Sequence, residues 1–326
     1  MRLATLQPQR DSPPVAAVAA ADESWLTLFS VLRVVLGEVP TGASWMSPLE
    51  ELLPAALEQR EELTAWLADW PRHVATFSAT GGRAYPPATP LLPPVVRPPA
   101  FRDFYAFEQH VKTCRARRGQ TMPPAWYEVP AFYFSNARAL VGNGAPVFAP
   151  AGAKELDYEL ELGVVIGRGG RDIPAARAWE HVAGLTIVND LSARDLQRAE
   201  MSVGLGPAKG KDFATAAGPW LVTRDEFADR IDGERLQLAM RARKNGRELS
   251  RGDVAALHHS IPRLIAHASR DAELFPGDLI ATGTVGTGCI LELGPENTGG
   301  WLMPGDEVEL EIERLGVLRT PIVARP

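Results

Sequence analysis

Cysteine is nearly absent. Cys114 and Cys289 are the only two in 326 residues. Two cannot build a disulfide framework, and there is no CxxC pair, so a reducing, cytoplasmic setting is expected. No apolar run approaches the roughly 18 residues that a membrane span needs. The run "VAAVAAA" ends at once in "DES", and "MRLATLQPQRDSPP" lacks the pattern of a secretory leader, so no membrane association is expected. Basic residues do not dominate. The net charge is −6, and the densest basic run, "KTCRARR" at 112–118, is short enough to be a solvated helix face, which argues against a nucleic-acid partner. Zinc spacing such as HExxH is missing. "GRGG" after "VVI" does not match GxGxxG, so a dinucleotide-binding fold is not supported.

What is present is an ordinary globular mix, 45% hydrophobic and 23% charged, over a length that allows a sizeable core. "MRLATL" and "PVAAVAAADESWLTLF" read as short strands. "MSPLEELLPAALEQREELTAWLADW" reads as helix, with Ser47 as N-cap, Pro48 at the first helical position, Glu50 completing a capping box and Pro54 as a break or kink. Residues 86–99 carry seven prolines, which favours an extended, semi-rigid connector. The expected organisation is a small N-terminal domain (1–85), that connector (86–99) and a larger domain (100–326). In the last, "FRDFYAFEQHVKTCRARRG" reads as helix with Phe104, Phe107 and Val111 on one face. "AARAWEHVAG" and "HSIPRLIAHAS" are further helices. "AFYFSN", "DYELELGVVIG", "GLTIVND", "GPWLVT", "LQLAMRARKNG", "GDLIATGT", "CILELG" and "DEVELEIERLG" read as strands. Many short strands and few helices give a β-rich α+β class.

Chemistry concentrates in four stretches. In "KELDYELELGVVIG", Asp157, Glu159 and Glu161 alternate with apolar residues, so a strand puts all three on one face, neighbours about 7 Å apart. Either that face is wet, or a hard cation screens it; oxygen-only ligands suit magnesium, calcium or manganese. "GLTIVND" ends in Asp190, which is either a helix N-cap or a fourth carboxylate. In "FRDFYAFEQH", Asp103 and His110 are seven apart, two turns on one helix face, and His110 is either structural or beside the ion. Lys209 and Lys211 of "AKGKDFATAAGPW" lie in a Gly-flanked loop, solvated or useful beside an enolate.

"DFYAFEQHV", "LDYELELGVVIG", "GLTIVNDLSARDLQ", "GKDFATAAGPW" and "PGDLIATGT…LELG" together resemble the fumarylacetoacetate hydrolase family, in the family's order, over about residues 95–326. Residues 1–85 are similar only in general character to its variable N-terminal domain. The resemblance implies a mixed β-roll or barrel, usually in a homodimer, with the active site at one opening. It implies a magnesium or calcium ion (manganese is also compatible) held by Asp103, Glu159, Glu161 and Asp190, with Lys211 and Thr215 beside it. Asp157 has no ligand counterpart and is expected to be exposed or to support the ligands. His110 would activate water, oriented by Glu292, while Lys211, Arg194 and Gln197 stabilise developing charge. Tyr105, Tyr133, Arg194, Gln197 and Thr284 would contact substrate. Two departures are Leu191, where the animal enzyme has tryptophan, and an expected arginine for which Arg118 is only close.

The implied activity is hydrolysis of a carbon–carbon bond in a ketonic substrate, a 1,3-diketo acid of the fumarylacetoacetate or acylpyruvate type, as in aromatic catabolism. The alternative on the same site is decarboxylation, hydration or isomerisation of a 2-oxo acid.

Overall fold

The computed structural model describes residues 1–37 and 39–325. Its spine is a twelve-stranded mixed sheet. Along it run Ala84–Tyr85, Trp25–Thr27, Val15–Ala19, Arg2–Leu6, Thr215–Thr223, Val182–Asn189, Leu160–Ile166, Leu279–Ala281, Phe101–Phe104 and Phe132–Phe134; Leu91–Leu92 and Leu140–Val141 pair at its side. The path is open at both ends. A four-stranded antiparallel sheet, Arg247–Asp253, Ala239–Lys244, Glu307–Ile312 and Gly316–Pro321, shares a core with one face of the first. The α+β class therefore holds, while a closed barrel does not describe these sheets.

Alternation in the central strands builds two cores. Leu160, Leu162, Val164 and Ile166 point into the core shared with the small sheet. Val165, Val188, Leu221 and Leu279 face the opposite side, onto the helices Leu28–Leu36, Leu49–Glu58, Arg60–Ala68 and Trp70–Ala79. Residues before and after the proline-rich stretch thus contribute strands to one sheet, joined where Arg2–Leu6 pairs with Thr215–Thr223. Among the described residues no helix is long and apolar enough to cross a membrane.

Three local expectations change. The helix at 49 starts one residue later than the capping box requires. Pro48 is extended (ψ 162°) and is itself the N-cap, while Ser47 Oγ accepts from the Ser44 N–H in the preceding turn. The helix continues through Pro54 and breaks at Gln59 and Asp69 instead. Phe101–Phe104 is a strand, so Asp103 and His110 do not share a helix; His110 lies in the first turn of Glu108–Ala116. "CILELG" is a short helix, Ile290–Leu293, because the Asp157 carboxylate captures the N–H groups of Ile290 and Leu291 that a strand would offer to a neighbour.

Candidate active site and metal centre

Antiparallel pairing brings starts and ends of strands to the same edge of the sheet. Glu161 lies near the start of Leu160–Ile166, Asp190 just past the end of Val182–Asn189 and Thr215 at the start of Thr215–Thr223. Asp103 sits near the end of Phe101–Phe104, opposite Tyr133 and beside Ala281. Gly283 and Thr284 follow Leu279–Ala281. Residues scattered over some 180 positions therefore converge by register alone.

Asp103, Glu161 and Asp190 are all buried, with carboxylate oxygens within 4.8 Å of one another. Glu161 accepts from the Gly283 N–H (3.1 Å) and the Thr284 hydroxyl (3.2 Å). Asp190 accepts from Thr215 Oγ1 (3.2 Å), Tyr133 (2.6 Å) and Lys211 Nζ. The Tyr133 hydroxyl is also 3.0 Å from Asp103 Oδ2, while Asp103 Oδ1 is buried without a partner. Burial, followed by repulsion from the neighbouring carboxylates, raises Asp103 and Glu161 well above the ordinary carboxyl range. A dry cluster of oxygen donors that repel one another, one of them unpartnered, fits a hard divalent cation.

Glu159 stands slightly apart. One oxygen accepts from Arg194 Nη2 at 2.7 Å and the other from Lys211. Burial opposes its charge, but Arg194, then Lys211 and His110, hold it well below its usual value. Lys211 is buried between Glu159 and Asp190, which keep it ammonium against its own desolvation. Its loop is fixed by Gly210, where a Cβ would come within 2.8 Å of the Gln197 nitrogen. Lys209, two residues earlier, is solvated and pairs with Asp212.

His110 is buried, with Nδ1 3.0 Å from Glu292 Oε2 and Nε2 4.0 Å from Glu159 Oε1. A carboxylate can only accept, so Nδ1–H donates to Glu292. Burial disfavours the imidazolium, yet Cys289, Glu292 and Glu159 together push His110 up to about 10.

All the expected residues except Asp190, Thr215 and Glu292 line one cleft of about 280 Å³. Asp190 lies behind Lys211 and Tyr133, Thr215 behind Asp190, and Glu292 behind His110. Arg194 spends its N–H groups on Asp157, Glu159 and Gln197. Arg118 lines the same cleft, and Leu191 is a fully buried core residue.

Asp157 is fully buried, so the exposed alternative for it is excluded. It grips Arg194 and the turn that carries Glu292. Sequence reading missed that link, since nothing in the spacing pairs Asp157 with Arg194. It also missed the position of both cysteines against His110, having used them only to judge redox setting.

Residues 99–323 match the family described as "Fumarylacetoacetate (FAA) hydrolase C-terminal". The fumarylacetoacetase of Arabidopsis thaliana is 32% identical over 245 residues, 59% of this chain and 58% of that one. The mitochondrial oxaloacetate tautomerase of Homo sapiens is 37% identical over 196 residues, 60% of this chain and 59% of its own. The chain thus spans somewhat over half the length of each of these two relatives. Among solved structures, the 5-carboxymethyl-2-hydroxymuconate delta-isomerase of Mycobacterium smegmatis superposes over the whole of both chains with a TM-score of 0.66 and 26% identity.

Proposed function

The chain belongs to the fumarylacetoacetate hydrolase family, and from that premise we propose that it is a metal-dependent hydrolase cleaving a carbon–carbon bond of a 1,3-diketo acid. The observation that carries this is the His110–Glu292 pair at 3.0 Å, set against the carboxylate cluster at one cleft. Asp103, Glu161 and Asp190, with Glu159 as the fourth carboxylate, would hold magnesium, calcium or manganese. When bound, such an ion supplies positive charge that polarises a carbonyl and stabilises an enolate.

The chain's own groups do the rest. Glu292 fixes the ring of His110, and His110 Nε2 takes a proton from water. Of the groups that raise His110, Glu159 belongs to the carboxylate cluster, and a cation held there would offset that share of the rise. Lys211 donates to developing oxyanion charge. Arg194, braced by Asp157 and Gln197, positions Glu159. Thr284 and Gly283 orient Glu161, while Thr215 and Tyr133 orient Asp190. Tyr105 and Arg118 offer contacts to the substrate. The products are a carboxylic acid and a ketone or 2-oxo acid, and the assembly is a homodimer.

A second reading, a tautomerase or isomerase, is favoured by the human relative and by the mycobacterial structure. His110 would then move a proton between carbon and oxygen without water attack. The deciding experiment is a panel of acylpyruvates, fumarylacetoacetate, oxaloacetate and 2-oxo-alkenoates with magnesium, with every product quantified. Hydrolysis yields two molecules per substrate, tautomerisation or isomerisation one isomer, and decarboxylation carbon dioxide. His110→Ala is expected to lower kcat by ~10²–10⁴-fold with little change in KM. Wild-type turnover in that variant, at full metal occupancy, would overturn the hydrolase and favour the decarboxylase.

A further inference from the structure

The chain's only two cysteines meet at one side chain. Cys114 lies one turn after His110 on the Glu108–Ala116 helix, and Cys289 directly precedes the Ile290–Leu293 helix. Both are free and buried. Cys114 Sγ is 3.8 Å from His110 Nδ1, Cys289 Sγ is 4.0 Å from the same nitrogen, and donor atoms of the three residues lie within 4.8 Å of one another. Glu292 adds a carboxylate. Its Oε2 is 3.0 Å from Nδ1, and its Oε1 is buried with no hydrogen-bond partner.

A tetrahedral ion with sulfur, nitrogen and oxygen ligands spaces those atoms about 3.3–3.8 Å apart. The distances from Nδ1 here, 3.0 to 4.0 Å, span that range. The two sulfurs and the ring nitrogen lie within 4.8 Å of one another, so shifts of up to about an ångström close the site. We propose that His110 Nδ1, Cys114, Cys289 and Glu292 form a second metal site, selective for a thiophilic divalent cation of the zinc or cadmium class.

Ligand chemistry separates it from the oxygen cluster, because thiolates select soft cations and carboxylates hard ones. The two sites share His110 as a wall, with Nδ1 toward Glu292 and Cys289, Nε2 toward Glu159, and Cys114 Sγ 3.8 Å from both nitrogens. On coordination each thiol releases its proton to solvent. Nδ1 gives up its own proton and Nε2 takes one up in exchange, so the ring stays a neutral imidazole that now carries Nε2–H. A ring in that state cannot accept a proton from water. Silencing of turnover is the corollary, and it rests on the reading of His110 as the base.

The test uses the full chain saturated with magnesium, its thiols kept reduced by a phosphine. Cadmium is titrated while the ultraviolet thiolate-to-cadmium charge-transfer band and the turnover are followed together. The expected result is a band that saturates at one cadmium per chain, a parallel fall in turnover, and reversal of both by a chelator followed by magnesium. Cys114→Ser and Cys289→Ser keep side-chain size and are each expected to weaken cadmium binding by more than about 10–100-fold, the loss that even an outer partner of a metal site causes. Near-ultraviolet circular dichroism checks that the variants fold. A missing band in the wild type, or a double Cys→Ser variant that binds one cadmium with wild-type affinity, would overturn the site. A saturated band with undiminished turnover would leave the site standing and overturn His110 as the base.

Discussion

Asp157 has no exposed surface, and both its oxygens are in use. Oδ1 accepts from the Tyr158 and Ile290 N–H groups, and Oδ2 from Leu291 N–H and the Arg194 guanidinium. Removing one charge of a buried ion pair costs about 3–5 kcal/mol. Asp157→Asn keeps the size of the side chain but leaves Arg194 short of a counter-charge. A clear fall in Tm is expected, with metal content retained in the folded fraction; metal loss as deep as at a ligand position would refute this. Glu161→Ala is the contrast. It is expected to lose both cation binding and turnover while far-ultraviolet circular dichroism stays unchanged, and EDTA-dialysed wild type should fall silent until magnesium is restored. Full activity in metal-free buffer would sink the metal assignment. The raised carboxyls, Asp103 and Glu161, add a pH dependence. A raised carboxyl holds its proton to higher pH, and the cation binds only the deprotonated form. Magnesium affinity should therefore be weak in acid and keep climbing beyond about pH 5–6, where ordinary carboxylates have finished titrating. Calorimetry across that range checks it, and a flat profile above pH 6 would contradict it.

The segment after Leu279–Ala281 shows how an uncharged backbone group can control the carboxylate cluster. Gly283 has φ +85°, a Cβ there would lie 2.6 Å from the Phe104 carbonyl oxygen, and its N–H holds Glu161. A side chain would meet backbone rather than a flexible tip, and the left-handed conformation itself costs about 1–2 kcal/mol. Gly283→Ala should therefore weaken magnesium binding although no ligand is altered. Gly305, also left-handed (φ +99°) but with open space around it, is the control. Its alanine variant should lose some stability and no metal affinity. Equal metal affinities for the two variants, measured by calorimetry, would show that Gly283 does not position Glu161.

Over the whole molecule, the first 85 residues are structural partners of the remainder. Their strands extend the main sheet next to Thr215–Thr223, and their helices cover Val165, Val188, Leu221 and Leu279 on one of its faces. Trp25 also packs on Trp220, ring centroids 6.1 Å apart. Without that cover, the central strands would expose a contiguous apolar face and an unpaired edge, which favours aggregation. A chain of residues 86–326 is expected to be poorly soluble or to melt far below the full-length protein. A truncated protein with full-length Tm and metal affinity would show that the two parts fold independently.

The sequence by itself determined much of this protein. Apolar runs in "LELGVVIG" and "GLTIVN" marked the two central strands, because a strand buried on both faces carries apolar residues at nearly every position. The separated motifs pointed to the family and to a set of side chains of which all but Asp190, Thr215 and Glu292 line the cleft. Only the tertiary structure decided what each carboxylate meets. Asp157, Glu159 and Glu161 look equivalent by alternation, yet the strand is interrupted at Tyr158 and Glu159, and the three take different partners. Asp157 binds Arg194 and a helix N-terminus, Glu159 binds Arg194 and Lys211, and Glu161 binds Gly283 and Thr284. The same limit explains why Asp103 read as helical and Glu292 as part of a strand. Local pattern records which way a side chain faces. Which charge, N–H group or thiol it faces depends on long-range strand register, and that is set only when distant segments pack.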